Sequence, residues 1–272
     1  MKFQPRSWVS WGLAASFLLT ILTGLVISYP FREEMPLLST VGIEGVIPFG
    51  ALFRYLHYYA AQFTFLFLFW HTTEALWARS YQRRHFFHWF LLTSTYPLTI
   101  LALFTGYIVR GDETGLSAGR IAENLILTLP FFGKILNRLF FAVSEEGIHR
   151  AYITHIFLSF VLFFLLGIWH FRLRKIKLED LSLWATGALA LSLLWPPPLE
   201  APHFQTSLKG PWFFLGIQEL LRYLPPFGAG IIFPLIPIIL LVFFPRAPKR
   251  AGWGLLLWHL FYFALLGRGL LR

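Results

Sequence analysis

The chain has 272 residues, of which 57% are hydrophobic and 13% are charged, and its formal net charge is +10. A soluble domain cannot bury that much apolar surface, so the composition predicts an integral membrane protein. Its basic charge then indicates loop charges that set topology and meet anionic lipid, and no basic cluster forms a nucleic-acid-binding motif. The absence of cysteine excludes disulfides, thiolate metal sites and iron–sulfur clusters ligated by this chain.

Seven apolar segments are candidates for membrane-spanning helices. In chain order they are residues 8–30, 52–77, 89–109, 150–171, 181–195, 228–244 and 252–266. We expect a loop between the first two segments, and a helical hairpin at the membrane surface in the amphipathic connection 110–149. We therefore predict an all-α fold of about seven transmembrane helices. A four-helix unit would occupy residues 1–178 and a three-helix unit residues 179–272.

Lysine and arginine are concentrated in alternate loops, which predicts an orientation in the membrane. The N-terminus and the loops after the second, fourth and sixth segments contain about half of the 23 Lys and Arg residues but only two acids, Glu179 and Asp180. We therefore expect a bacterial-type cytoplasmic membrane protein with a cytoplasmic N-terminus. In this orientation the second and fourth helices both run from the outer to the inner face.

These two parallel helices each carry a histidine near either end. The second contains RYLHYYAAQFTFLFLFWH, with His57 and His71 fourteen positions apart, and the fourth contains THIFLSFVLFFLLGIWH, with His155 and His170 fifteen apart. At about 100° and 1.5 Å per residue, both offsets are close to four turns and about 21 Å, so each pair shares one helix face. His57 is then level with His155 (the outer pair) and His71 with His170 (the inner pair).

A lone histidine in a transmembrane helix is either a polar contact between helices or a functional group. Two matched pairs favour bis-histidine ligation of two b-type haems, because neutral imidazole binds haem iron and two imidazoles fill both axial positions. Of the other five histidines, His259 has the clearest structural interpretation, a helix–helix contact. Arg54 and Arg150, just before His57 and His155, are candidate partners for haem propionates. The alternative is that such arginines extend to the lipid headgroups.

These segments resemble a known family, cytochrome b, the membrane core of quinol:cytochrome c oxidoreductases (bc and bf complexes). The two histidine-bearing segments are similar to the family's second and fourth helices. Residues 22–25, LTGL, resemble its first helix, and FTGYIVRGDETGLSAGRIAENL resembles its third helix with the surface helices that follow. LKGPWFFLGIQELLRYLPP resembles the quinol-site loop. The resemblance covers almost the whole chain, in a four-plus-three-helix form.

The resemblance implies a subunit of a quinol:cytochrome c oxidoreductase-type complex. Quinol would be oxidised at the outer face, and electrons would pass through the outer haem (His57, His155) and the inner haem (His71, His170) to an inner quinone site, with coupled proton translocation. The implied partners are a Rieske iron–sulfur protein, a c-type cytochrome subunit or both, together with quinone and membrane lipid. Family members are dimers, so a homodimer within a larger complex is expected.

The quinol-site residues implied by the resemblance are Tyr107, Pro211, Trp212 and Phe213. Pro211 stands where the family has a glutamate, and a proline cannot accept a proton. Glu219, eight positions on, is a candidate replacement base, with a surface or capping charge as the alternative. This departure keeps a second function open, a di-haem b-type anchor linking the quinone pool to a peripheral oxidoreductase without bifurcation. A non-redox transporter or scaffold is a third interpretation.

Overall fold

The computed structural model describes residues 8–171, 178–199 and 209–271. Within these ranges the chain is helical and contains no strand, which confirms the predicted all-α class. The helices are α1 (Trp8–Ser28), α2 (Pro36–Gly45), α3 (Gly50–Trp77), α4 (Phe86–Val109), α5 (Glu113–Leu127), α6 (Gly133–Phe140), α7 (Val143–Glu146), α8 (His149–Leu162), α9 (Leu178–Leu194), α10 (Leu215–Leu220), α11 (Phe233–Val242) and α12 (Pro248–Leu271). A π-helix, Phe163–Phe171, continues α8, and a second, Gly228–Ile232, leads into α11.

The seven predicted segments all coincide with apolar helices. Four are long and apolar enough to cross a membrane: α1, α4, α8 with its π-helical extension, and α12. Helix α3 meets the same criterion together with α2, and the two are bent by 113°. Two shorter helices, Ser182–Leu194 and Gly228–Val242, match the fifth and sixth segments. The chain is therefore an integral membrane protein.

Helix α2 corrects the expectation of a plain loop between the first two spans. Its sequence signal is Pro36 at the first helical turn, where proline is favoured because its missing N–H needs no partner. The predicted cytoplasmic N-terminus and the basic loop 172–177 lie outside the described residues. The division at residue 178 stays a prediction.

Two helix pairs pack closely, α1 with α3 and α4 with α8. In α1, Gly12 allows a close approach, because a Cβ atom there would lie 2.8 Å from the ring of Phe67 in α3. Leu13 and Phe17 of α1 then pack with Leu162 at the centre of the bundle. The bundle thus holds the two histidine-bearing helices, α3 and α8, within one core.

The connection after α4 forms the predicted helical hairpin as α5 and α6, followed by the single turn α7. Asp112 caps the start of α5, its Oδ1 accepting a hydrogen bond from the Gly115 N–H at 3.0 Å. Glu123 of α5 accepts hydrogen bonds from Asn137 Nδ2 at 2.8 Å and from Ser144 Oγ at 2.6 Å. These bonds fix α5 against α6 and α7.

Candidate functional site

The outer histidine pair faces across the bundle. The ring centroids of His57 in α3 and His155 in α8 are 6.3 Å apart, with the ring planes inclined at 79°. Two imidazoles that bind one metal from opposite sides, each at about 2 Å, have ring centroids about 6 Å apart. The spacing is therefore that of a bis-imidazole metal site.

Both rings of the outer pair are fixed through Nδ1. Nδ1 of His57 lies 2.9 Å from the Thr20 carbonyl oxygen, and Nδ1 of His155 lies 2.9 Å from that of Ala102. A carbonyl only accepts hydrogen bonds, so each Nδ1 carries the proton and donates it. The unprotonated Nε2 of each ring is then the nitrogen that can bind a metal.

The inner pair has nearly the same spacing. The ring centroids of His71 and His170 are 6.1 Å apart, inclined at 61°, and Ser10 Oγ lies 3.2 Å from His71 Nδ1. The pair meets although the fourth helix contains one residue more between its histidines than α3. The π-helix at Phe163–Phe171 explains this, because a π turn contains more residues than an α turn.

A cavity of about 820 Å³ adjoins the outer pair, a size typical of ligand sites. Both His57 and His155 line it. The four predicted quinol-site residues also line it: Tyr107, Pro211, Trp212 and Phe213. Trp212 Nε1 donates a hydrogen bond to Gln62 Oε1 at 2.9 Å, which fixes the 211–213 loop against α3.

Two arginines line the same cavity, Arg54 as predicted and Arg110, which sequence reasoning missed. Arg54 Nη2 is paired with Glu44 at 2.7 Å, and Arg110 Nη2 with Asp112 at 2.8 Å. In the described part of the chain, the buried Nε atoms of both arginines have no hydrogen-bond partner. Buried donors generally need acceptors, so each arginine has a donor available to a carboxylate of a bound group.

These features fit haem. Among the described residues, no group of three or more His, Asp or Glu side chains is placed to hold a metal ion. Each pair offers a metal ion only two imidazole ligands, so the remaining ligands must come from another group. A porphyrin supplies four nitrogen ligands. The buried, unpartnered arginine donors fit its propionate groups.

Two predicted site residues lie elsewhere. Arg150 forms an exposed ion pair with Glu146, Nε to Oε2 at 2.7 Å, and does not line the cavity. Glu219 is buried, with Oε1 3.0 Å from Arg268 Nε and Oε2 3.3 Å from Arg222 Nε. Glu219 also lies outside the lining, and the described lining residues include no aspartate or glutamate. This placement favours the interpretation of Glu219 as a structural charge.

Of the other histidines, His259 in α12 packs its ring 5.4 Å from that of Phe69 in α3. This contact confirms the predicted helix–helix role. His149 pairs with Glu33, Nδ1 to Oε1 at 2.8 Å. His203 lies outside the described residues.

The helix bundle and its two facing imidazole pairs have the arrangement expected of a b-type cytochrome in a membrane. A family model described as cytochrome b (N-terminal)/b6/petB matches residues 62–180. The chain is 30% identical over 161 residues to a cytochrome b of Schizosaccharomyces japonicus, a match covering 57% of this chain but only 41% of that relative. It is 24% identical over 277 residues to a cytochrome b of Myzostoma seymourcollegiorum, covering 87% and 73% respectively.

A similar solved structure supports the fold. A chain of a structure titled "Hyperthermophilic respiratory Complex III" matches with a TM-score of 0.67 at 18% identity, covering 97% of this chain and 90% of that one. Taken together, these comparisons support the predicted resemblance to the cytochrome b of bc-type complexes, and the chain spans less than half the length of the Schizosaccharomyces japonicus relative.

Proposed function

We propose that this chain is the cytochrome b subunit of a bc-type complex. It would oxidise quinol at the outer face and pass electrons through two b haems to an inner quinone site, coupled to proton translocation. The observation that carries the proposal is the facing of His57 and His155 on the wall of the cavity that the 211–213 loop also lines.

In this proposal His57 and His155 hold the outer haem, and His71 and His170 the inner one. A haem with two histidine ligands supplies a one-electron carrier. The protein's own residues set its surroundings. Helices α3 and α8 fix the distance between the imidazoles, and the carbonyls of α1 and α4 fix their tautomer. The side chain of Arg54 offers a buried cation and a donor to a carboxylate.

The cavity lining supports a quinol as substrate. Quinol is a planar, mostly apolar ring with two hydroxyl groups, which suits an apolar pocket with a few polar groups. Trp212 and Phe213 supply aromatic surface, and the Tyr107 hydroxyl, which donates to the Lys209 carbonyl oxygen at 3.4 Å, supplies a polar group.

Oxidation of quinol also requires a proton acceptor. Glu219 is the candidate from the sequence, but its carboxylate is bound by Arg222 and Arg268. Accepting a proton there would weaken both ion pairs. A group contributed by a partner subunit is the alternative acceptor.

The second candidate function is a di-haem anchor that serves a peripheral oxidoreductase without dividing the two electrons of quinol. The lack of a carboxylate among the described lining residues, with Pro211 at the family's glutamate position, favours it. The two functions differ in one measurement. If the electrons divide, adding an oxidant for a high-potential partner increases haem b reduction by quinol, whereas a simple anchor shows no such increase.

The proposed partners are a Rieske iron–sulfur protein, a c-type cytochrome subunit or both, within a homodimeric complex in a bacterial-type membrane. The N-terminus would be cytoplasmic. Purification through this chain from native membranes, followed by mass spectrometry, identifies the subunits. Recovery of a peripheral dehydrogenase in place of these partners would support the anchor.

The deciding experiment is a haem count with a redox titration of the purified complex, following the reduced-minus-oxidised spectrum. We expect two b-type haems per chain that titrate as separate steps. A chain that carries one haem, or none, would contradict the proposal.

A further inference from the structure

A threonine hydroxyl accompanies each histidine of the outer pair. Thr23 Oγ1 in α1 lies 3.3 Å from His57 Nδ1, and Thr105 Oγ1 in α4 lies 3.3 Å from His155 Nδ1. Both threonines are buried, with 3% and 0% of their surface exposed. The same contact therefore occurs in both halves of the bundle, on both histidines of the outer pair.

The hydrogen of each hydroxyl is directed elsewhere. Thr23 Oγ1 donates to the Leu19 carbonyl at 2.7 Å, and Thr105 Oγ1 donates to the Leu101 carbonyl at 2.9 Å. Each oxygen therefore has a lone pair free to accept from the neighbouring imidazole.

Each Nδ1–H consequently has two acceptors, a backbone carbonyl at 2.9 Å and a threonine oxygen at 3.3 Å. Such three-centre hydrogen bonds are common in proteins. Additional acceptors on Nδ1–H draw the proton away from the ring and make Nε2 a more basic ligand.

We propose that Thr23 and Thr105 are positioning residues that lower the reduction potential at the outer histidine pair. This inference rests on the proposed function, since it requires haem between His57 and His155. More basic axial ligands stabilise ferric over ferrous iron, because the oxidised state carries the larger positive charge.

The test removes the second acceptor in the assembled complex. Thr23→Val and Thr105→Val keep the side-chain shape but lack the oxygen, whereas Thr23→Ser and Thr105→Ser keep the oxygen. Thr93→Val is the matched control, because Thr93 is a buried threonine of α4 whose hydroxyl donates to the Trp89 and Phe90 carbonyls.

We expect each valine variant to move the outer redox step to higher potential and to leave the inner step in place. For the double valine variant we expect up to a tenfold change in the ratio of oxidised to reduced form, about 59 mV for one electron. The serine variants and Thr93→Val should titrate like the wild type.

An unmoved outer step in the double valine variant overturns the inference, as does an equal shift in the serine variants or in Thr93→Val. If a valine variant loses the outer haem, Thr23→Ala and Thr105→Ala replace it, because alanine adds no bulk. An outer redox step that does not move in these alanine variants would also overturn the inference. Failure of the proposed function is separate, since the wild-type complex would then lack two b-type haems.

Discussion

Gly24 lies so close to His57 that a Cβ atom at this position would be 2.9 Å from the imidazole Cε1. Gly106 has the same relation to His155, also at 2.9 Å. We expect Gly24→Ala to displace the His57 ring and to remove most of the outer haem while the inner haem stays. The haem content per chain and the number of redox steps measure this. Gly187→Ala is the control, because a Cβ there meets nothing within 4 Å. An unchanged haem content in Gly24→Ala would show that the ring has room to move.

The two histidine pairs predict two separate losses. His57→Ala or His155→Ala should remove the outer haem, and His71→Ala or His170→Ala the inner one, because each haem would be held by both imidazoles of its pair. Redox titration shows whether the outer or the inner redox step remains in each variant. His259→Ala, a helix-contact histidine, should keep both haems. Recovery of both haems from any of the four ligand variants would falsify the ligand assignment.

Arg110 is predicted to act on the outer site through its unpartnered Nε. Arg110→Lys retains a positive charge for the buried Asp112 but removes the planar donor, so we expect weaker retention of the outer haem without unfolding. Haem loss during dilution in detergent, compared with thermal unfolding, separates the two effects. Arg150→Lys, in an exposed ion pair, is the control. Equal haem retention in Arg110→Lys and Arg150→Lys would show that Arg110 does not help to hold the outer haem.

Glu123 predicts a pH dependence of the hairpin after α4. Burial raises the pKa of this carboxyl, but hydrogen bonds from Ser144 and Asn137 outweigh it, and the net pKa lies below the usual value. A group with a depressed pKa stabilises the fold above its unfolded pKa, and this stability is lost as the pH falls through the folded value. We expect Glu123→Gln to cost about 1–2 kcal/mol at neutral pH.

The difference between wild type and Glu123→Gln should narrow below about pH 4, near the unperturbed glutamate pKa. Thermal unfolding followed by circular dichroism across pH measures it. Glu145→Gln, at an exposed position, should behave like the wild type. A difference in stability between wild type and Glu123→Gln that stays constant down to low pH would show that the ionised carboxylate of Glu123 does not stabilise the hairpin.

Glu219→Gln decides between a proton acceptor and a structural charge. The ion pairs with Arg222 and Arg268 predict a loss of about 1–2 kcal/mol in stability, because the buried carboxylate is removed from two half-exposed arginines. We expect the rate of quinol oxidation per folded complex to stay unchanged. A rate that falls, with an altered pH profile, would instead support Glu219 as the base.

Much of this architecture is encoded locally and was predicted from the sequence. Apolar length marked the spans, and the spacing of His57 with His71 and of His155 with His170 marked the paired sites. The structure brings each pair together at about the distance that one metal requires. Pro211 and its neighbours line the same cavity as the outer histidine pair, and their role in binding quinol stays a prediction.

The remaining features depend on contacts between distant segments. Arg110 became a site residue only because the start of the hairpin folds back to the cavity. The sequence makes Glu219 a candidate base because it does not show that Arg268, from the last helix, reaches the carboxylate. Arg150 has its partner one turn away at Glu146, an i,i+4 spacing that is visible in the sequence.

The π-helix in the fourth span also changes how the two halves of the bundle should be aligned. The intervals between histidines in α3 and in the fourth span differ by one residue, yet the rings meet at both levels. If the sequence of α3 is aligned with that of the fourth span without a gap, the residues beyond the additional residue of the fourth span are therefore out of register by one position. The single gap that restores equivalence belongs within Phe163–Phe171, where the wider coil takes up the additional residue.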